Sequence, residues 1–178
     1  QGKIYIETNN RLTFLAKHLK NAFPSSKFIH LHRHPYEFII SGMKRGYYSS
    51  HPGDFARYTP TSNDKCAVNW KNLSQVEKTA WYWQKVNQES YDFLRELPPE
   101  RRFTLRSEDL FSGNENKLSN LFSFIDIPMP SNQKIENILG FKLNAQISGS
   151  FPDSKNWDKD TRYKINSIVK NTAENLSY

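Results

Sequence analysis

The sequence predicts a single α/β domain over residues 1–178, with a parallel sheet flanked by helices. Three short segments with the composition of strands end near Glu7, Arg33 and Arg106, and amphipathic helical patterns lie between them. Strands that alternate with helices along a chain are typical of parallel sheets. With 178 residues, of which 37% are hydrophobic, the chain is long enough for one core and short for two.

The first strand is predicted over residues 3–7, where apolar and polar side chains alternate. A helix is predicted over residues 11–23, because its apolar residues fall on one helical stripe and Pro24 follows it. A strand, a helix and a second strand make a βαβ unit with a parallel pair. Glu7 is therefore expected to end its strand on the same sheet edge as Arg33.

The second strand is predicted over residues 27–32 and passes directly into a helix. Its apolar residues suit a buried strand, and Pro35 is well placed in a first helical turn. Arg33 therefore lies at the carboxyl end of the strand, and Ser41 lies about two turns into the helix. Parallel α/β sheets bind ligands at this edge. Both side chains can face a phosphate there, Arg through its planar fork and Ser through one hydroxyl donor.

The remaining sequence predicts one long loop, a third strand and further helices. Residues 47–70 lack periodicity but are rich in aromatic residues. This combination favours an ordered lid or acceptor wall, and a variable insertion without function is the open alternative. The third strand is predicted over residues 102–106. Helices are predicted over residues 73–97, 115–125 and 133–139, and from residue 158 onward.

The segment from Arg33 to Ser41 resembles the 3′-phosphate-binding element of the sulfotransferases. In that family an Arg ends such a strand, a Pro follows two residues later and a Ser eight residues later, as Arg33, Pro35 and Ser41 do here. The likeness continues as an ordered series of landmarks over nearly the whole chain. It implies a P-loop-NTPase-like sulfotransferase fold and binding of 3′-phosphoadenosine 5′-phosphosulfate (PAPS), whose 3′-phosphate Arg33 and Ser41 would hold.

Other parts of the family pattern are altered or missing. Residues 6–9 resemble a Glu-Lys-Thr-Pro element near the acceptor, with Thr8 in place of Lys. The resemblance makes Glu7 a candidate catalytic or acceptor-contacting group, with helix capping or a salt bridge as the alternative role. None of the seven glycines builds a Gly-rich phosphate loop. The family's first strand, 5′-phosphosulfate loop and main base are therefore expected upstream of Gln1, and the chain alone is expected to be N-terminally incomplete and inactive.

Composition limits the partners and the compartment. A formal net charge of +7 and a pI of about 9.4 favour an anionic partner. No apolar run approaches the roughly 18 residues of a membrane span, so a soluble chain is expected. The single cysteine, Cys66, cannot form an internal disulfide and has no neighbouring Cys for a metal site. This favours a reducing, cytoplasmic location.

Three other functions are consistent with parts of the sequence. A non-catalytic polyanion-binding module would use the basic charge, but the basic residues are scattered and no nucleic-acid motif is present. A nucleotide kinase of related fold differs mainly in lacking the element from Arg33 to Ser41. A metal enzyme would use His30, His32 and His34, although the burial of alternate strand residues favours ordinary packing.

The preferred function is therefore that of a sulfotransferase with PAPS as co-substrate and no metal. It would transfer the sulfuryl group to a hydroxyl or amine of a small molecule, glycan or protein. Nucleic acid and membrane are not expected partners, and the oligomeric state is left open. Arg33 and Ser41 are the expected donor-binding residues, and Glu7 is the candidate catalytic residue.

Overall fold

The computed structural model describes residues 3–49, 51–140 and 149–178 and has a mixed α/β architecture. Each helix predicted from the sequence is present, with modest shifts at its ends. The strands are β1 (Phe28–His32) and β2 (Arg102–Arg106). The helices are α1 (Ala16–Ala22), α2 (Pro35–Lys44), α3 (Gln75–Arg95), α4 (Ser107–Phe111), α5 (Glu115–Phe124), α6 (Asn132–Leu139) and α7 (Lys159–Asn175). Short 3₁₀ turns occur at Leu12–Leu15, Asp54–Ala56, Ala67–Asn72, Pro99–Arg101 and Ser154–Asn156.

β1 and β2 pair in parallel, as the sequence predicts. Phe28 lies opposite Arg102, and His32 lies opposite Arg106. A parallel pair needs a long crossover connection, which is supplied here by α2, the loop after it and α3. The carboxyl ends of both strands therefore meet at one edge of the sheet.

Helices pack on both faces of this small sheet. On one face, His30 Nε2 of β1 lies 2.9 Å from Asn87 Oδ1 of α3. On the other face, Phe103 of β2 packs on Phe124 of α5, with ring centroids 5.2 Å apart. Ile29 is on the same face as Phe103, because the two are paired across the strands, yet it is 42% exposed. On that face, β2 is therefore covered more completely by neighbouring helices than β1 is.

The strand predicted over residues 3–7 is not formed, and this prediction is wrong. Ile4, Tyr5 and Ile6 are 56%, 84% and 55% exposed, so no face of this segment is buried. An alternating pattern produces a strand only where a sheet edge accepts its backbone hydrogen bonds and a neighbouring layer covers its apolar side chains. In the described parts of the chain the sheet has two strands instead of three, so no strand carries Glu7 to the edge beside Arg33.

The main core lies where α2, α3 and α7 pack together. α2 and α3 approach closely at Gly42, where a Cβ atom would lie 2.8 Å from Thr79 Cγ2 and 2.8 Å from the ring of Tyr47. A larger residue at position 42 would therefore clash with Thr79 and Tyr47, and α2 and α3 could not pack this closely. The core consists of Ile39, Ile40, Ala80, Trp83, Trp157, Ile165, Val169, Ala173 and Leu176.

Side-chain caps begin the two longest helices. Ser74 and Glu77 form a capping box at α3, in which the Glu77 carboxylate accepts a hydrogen bond from the Ser74 amide at 2.9 Å. Asp158 caps α7 by accepting from the Thr161 amide at 2.6 Å. In the part of the chain that the structure describes, no helix is both long and apolar enough to cross a membrane.

The predicted loop after α2 packs against α3 where the structure describes it. Tyr58 is stacked between Phe14 and Trp81, with ring centroids 4.5 and 5.9 Å away. The buried guanidinium of Arg57 lies over the ring of Tyr47, 3.5 Å from its centroid. These contacts agree with an ordered loop, and its role as a lid or acceptor wall stays a prediction.

Candidate functional site

The candidate site lies at the carboxyl edge of β1 and β2, where parallel sheets bind ligands. Arg33 follows β1 directly and α2 begins at Pro35, so the strand becomes a helix within two residues. Pro35 suits the first helical position, where its fixed φ is helical and its missing N–H is not needed. His34 caps the helix, because its Nδ1 accepts a hydrogen bond from the Tyr36 amide at 3.2 Å.

Arg33 is paired with a carboxylate that sequence reasoning missed. Its Nη2 lies 3.3 Å from Glu37 Oε2, and the two side chains are 47% and 51% exposed. The spacing of four residues was the available signal, because such pairs are neighbours on a helix. Ser41 lies one turn beyond Glu37 on the same side of α2. Glu37 therefore stands between the two predicted phosphate-binding residues.

Glu108, near the start of α4, links the end of β2 to the end of β1. Its Oε1 accepts the backbone N–H of His34 at 2.8 Å, and its Oε2 accepts the hydroxyl of Tyr178 at 3.0 Å. Burial alone would raise the pKa of Glu108, but the hydrogen bonds from the His34 amide, its own amide and Tyr178 bring that pKa below its ordinary value. Burial and the Glu108 charge raise the pKa of Tyr178, so its hydroxyl keeps the proton that it donates.

Two histidines of β1 are buried beneath this edge. His32 Nδ1 lies 3.0 Å from the Tyr178 hydroxyl, and since that hydroxyl donates to Glu108, the Nδ1–H donates to it in turn. Burial, together with the nearby His30, lowers the pKa of His32 to about 4, and burial also lowers the pKa of His30. Among the described residues, no group of three or more His, Cys, Asp or Glu side chains is arranged to hold a metal ion.

Arg106, at the end of β2, is neutralised by its own neighbour. Its Nε and Nη2 each lie 3.0 Å from an oxygen of Asp109, and this hydrogen bonding lowers the pKa of that carboxyl. Arg33 meets Glu37 through one nitrogen alone. Of the two arginines that end the strands, Arg33 therefore has more donor capacity to offer an anion.

Glu7 is not part of this cluster of contacts. Its side chain is exposed, and its Oε2 accepts a hydrogen bond from the Tyr5 hydroxyl at 2.7 Å. Its assignment as a catalytic or acceptor-contacting group stays a prediction.

Comparisons with known proteins agree with this architecture. A family model described as the sulfotransferase family matches residues 2–131. Among solved structures, the fold is similar to the sulfotransferase domain from the curacin biosynthetic pathway, with a TM-score of 0.55 and 23% sequence identity over 96% of this chain. The match spans 59% of that domain's chain, and at this identity it shows the fold alone. A search of individual curated proteins gives no match.

Proposed function

This chain belongs to the sulfotransferase family, and from that premise we propose that it binds PAPS at the carboxyl edge of β1 and β2. The protein would transfer the sulfuryl group of PAPS to a hydroxyl or amine. The observation that carries the proposal is the half-exposed Arg33 directly after β1, with Ser41 about two turns along α2. Because Arg106 is engaged by Asp109, the anion is assigned to Arg33.

In this proposal, the residues at the sheet edge bind and orient the donor through its 3′-phosphate. The guanidinium of Arg33 offers parallel N–H donors that match two phosphate oxygens, and the Ser41 hydroxyl offers one further donor. The N-terminal end of α2 adds a partial positive charge. Sulfuryl transfer, like phosphoryl transfer, depends mainly on alignment of donor and acceptor and on neutralisation of the transferred oxygens. Tight binding of the 3′-phosphate, which lies away from the sulfuryl group in the donor, contributes to that alignment.

The proposal is tested by sulfuryl transfer with the full-length protein. We expect radiolabelled PAPS to bind and to pass its label to members of a panel of hydroxyl and amine acceptors. The acceptor would be a small molecule, glycan or protein. Failure to bind PAPS at micromolar to millimolar concentrations, with binding of ATP or duplex nucleic acid in its place, would favour a kinase or a polyanion-binding module.

The candidate role of Glu7 is tested in the same assay. Glu7→Gln removes the charge and the basicity but keeps the size of the side chain, so a group beside the acceptor would lose turnover while PAPS binding stays the same. Unchanged turnover would show that Glu7 has no part in the reaction.

The compartment is a separate part of the proposal, and the cytoplasmic assignment rests on the lone, free Cys66.

Glu37 is expected to compete with the phosphate for Arg33. Glu37→Gln should raise the affinity for 3′,5′-diphosphoadenosine by about two- to fivefold, because exposed pairs at this spacing contribute only a few tenths of a kcal/mol to about 1 kcal/mol. Glu174→Gln on α7 is a matched control, since Glu174 also pairs with a basic residue four positions away, Lys170, and the net charge changes equally. Calorimetric titration measures both variants. A fall in affinity for Glu37→Gln would show that the carboxylate helps to build the site.

A further inference from the structure

The peptide group between Arg33 and His34 is held from both sides. Its carbonyl oxygen, on Arg33, accepts a hydrogen bond from Trp83 Nε1 of α3 at 2.9 Å. Its N–H, on His34, donates to Glu108 Oε1 at 2.8 Å. Trp83 is only 1% exposed and is part of the main core, so one side of this clamp is fixed by packing.

The other side of the clamp is braced by a second layer. Glu108 is oriented by Tyr178, whose hydroxyl donates to Oε2 at 3.0 Å. Tyr178 in turn contacts His34 and His32, with ring centroids 5.0 and 5.2 Å away. Both carboxylate oxygens are thus engaged, and rotation of the Glu108 side chain would break two hydrogen bonds.

This peptide group matters because it adjoins the Cα atom of Arg33, the residue that is proposed to bind the 3′-phosphate. The Arg33 side chain is half exposed, and its one hydrogen bond within the described ranges is a long one to the equally exposed Glu37, which does not fix its direction. The direction of its Cα–Cβ bond is set by the backbone on either side. A peptide that could rotate would displace the guanidinium and the start of α2 together, whereas a fixed one holds both in place before the ligand arrives.

We infer that Glu108 and Tyr178 are positioning residues of the anion site, which act by locking the Arg33–His34 peptide against Trp83 so that the Arg33 guanidinium is aimed at the 3′-phosphate of the donor. This inference rests on the proposed function. It assigns these two residues a role that requires no contact with the sulfuryl group or the phosphate.

Glu108→Ala separates this role from simple electrostatics. Removal of a carboxylate near an anion site should strengthen anion binding if charge alone decides. The positioning role predicts the opposite. The affinity of Glu108→Ala for 3′,5′-diphosphoadenosine should fall about tenfold, while its affinity for adenosine 5′-monophosphate should change less than about twofold. Asp109→Asn is the matched control, because it removes the adjacent negative charge without touching the His34 amide, and it should bind equally well or more tightly.

Two further variants test the hydrogen bonds themselves. Glu108→Gln keeps an oxygen that accepts from the His34 amide, and the Tyr178 hydroxyl can accept from its amide group, so selective binding should return to within about threefold of the wild type. Tyr178→Phe removes the hydrogen bond to Glu108 together with the acceptor of the His32 Nδ1–H, but leaves the bond between Glu108 and the His34 amide, so it should show an intermediate loss of about threefold. Equal losses for both nucleotides, tighter binding by Glu108→Ala, or a Gln variant as weak as the Ala variant would each overturn the inference.

Hydrogen exchange of the His34 amide provides a readout without any nucleotide. The amide should be protected in the wild type and in Glu108→Gln, and exposed to exchange in Glu108→Ala, as measured by NMR. An unprotected His34 amide in the wild type would refute the positioning role of Glu108 and Tyr178, even if PAPS binds. If instead the amide is protected but the wild type does not distinguish the two nucleotides, the proposed function fails and the positioning role fails with it.

Discussion

Arg33→Ala is expected to weaken binding of 3′,5′-diphosphoadenosine by about 10- to 150-fold and to leave binding of adenosine 5′-monophosphate nearly unchanged. Only the first nucleotide carries a 3′-phosphate, and a charge-assisted hydrogen bond contributes roughly 1.5–3 kcal/mol. The existing pair with Glu37 reduces the net loss, because that contact is given up when the phosphate binds. Calorimetric titration of both nucleotides measures the ratio of their affinities, which is the informative quantity.

A change of net charge alone must be separated from loss of the specific contact. Lys17→Ala on α1 removes one positive charge at an exposed residue that pairs with Glu96, just beyond α3. Both nucleotides should bind to this variant as they do to the wild type. If Arg33→Ala weakens the two nucleotides equally, Arg33 recognises some feature other than the 3′-phosphate.

Mild acid is expected to destabilise the protein before its surface carboxylates are protonated. Burial holds the pKa of His32 at about 4, below its unfolded value of about 6.5, so the folded state keeps the ring neutral while the unfolded state takes up a proton. Stability is therefore full above the unfolded pKa and falls as the pH decreases from about 6.5 to about 4. The loss from His32 alone is on the order of 2–3 kcal/mol. The lowered pKa of His30 adds to the loss in the same direction.

Urea unfolding at several pH values between 7 and 4 measures this loss directly. His32→Asn keeps a donor near the position of Nδ1 but cannot be protonated, so its stability should start lower at pH 7 and fall less steeply with acid. His18→Gln, at an exposed position of α1, is the control and should follow the wild-type slope. An unchanged slope in His32→Asn would show that other groups cause the acid sensitivity.

The parts of the fold that sequence could predict are those set by local pattern. β1, α2 and their junction follow from a short apolar run and from Pro35, because proline within a helix suits only the first turn. Residues 3–7 show the limit of this reasoning. Alternation specifies which side chains could share a face, but only a partner strand and a covering layer make a strand, and neither can be recognised from five residues.

The candidate site was predictable to a similar extent. The position of Arg33 at a strand end follows from local sequence, and its pairing with Glu37 could have been found from the spacing of four residues. The links of Glu108 could not, because His34 and Tyr178 are 74 and 70 positions away in the chain. Local reasoning gives an acidic residue near a helix start a dipole role, and it does not reveal the contact of Glu108 with the His34 amide at the start of α2.

The parallel pairing of β1 and β2 also constrains how the chain reaches its native state. Residues that face each other, such as Phe28 and Arg102, are 74 positions apart, and no tight turn sets their register. Closing so long a loop has an entropic cost that two five-residue strands cannot offset alone. The strands can therefore join only as α2 and α3 pack, so strand pairing and helix packing are expected to form, and to melt, in one cooperative step.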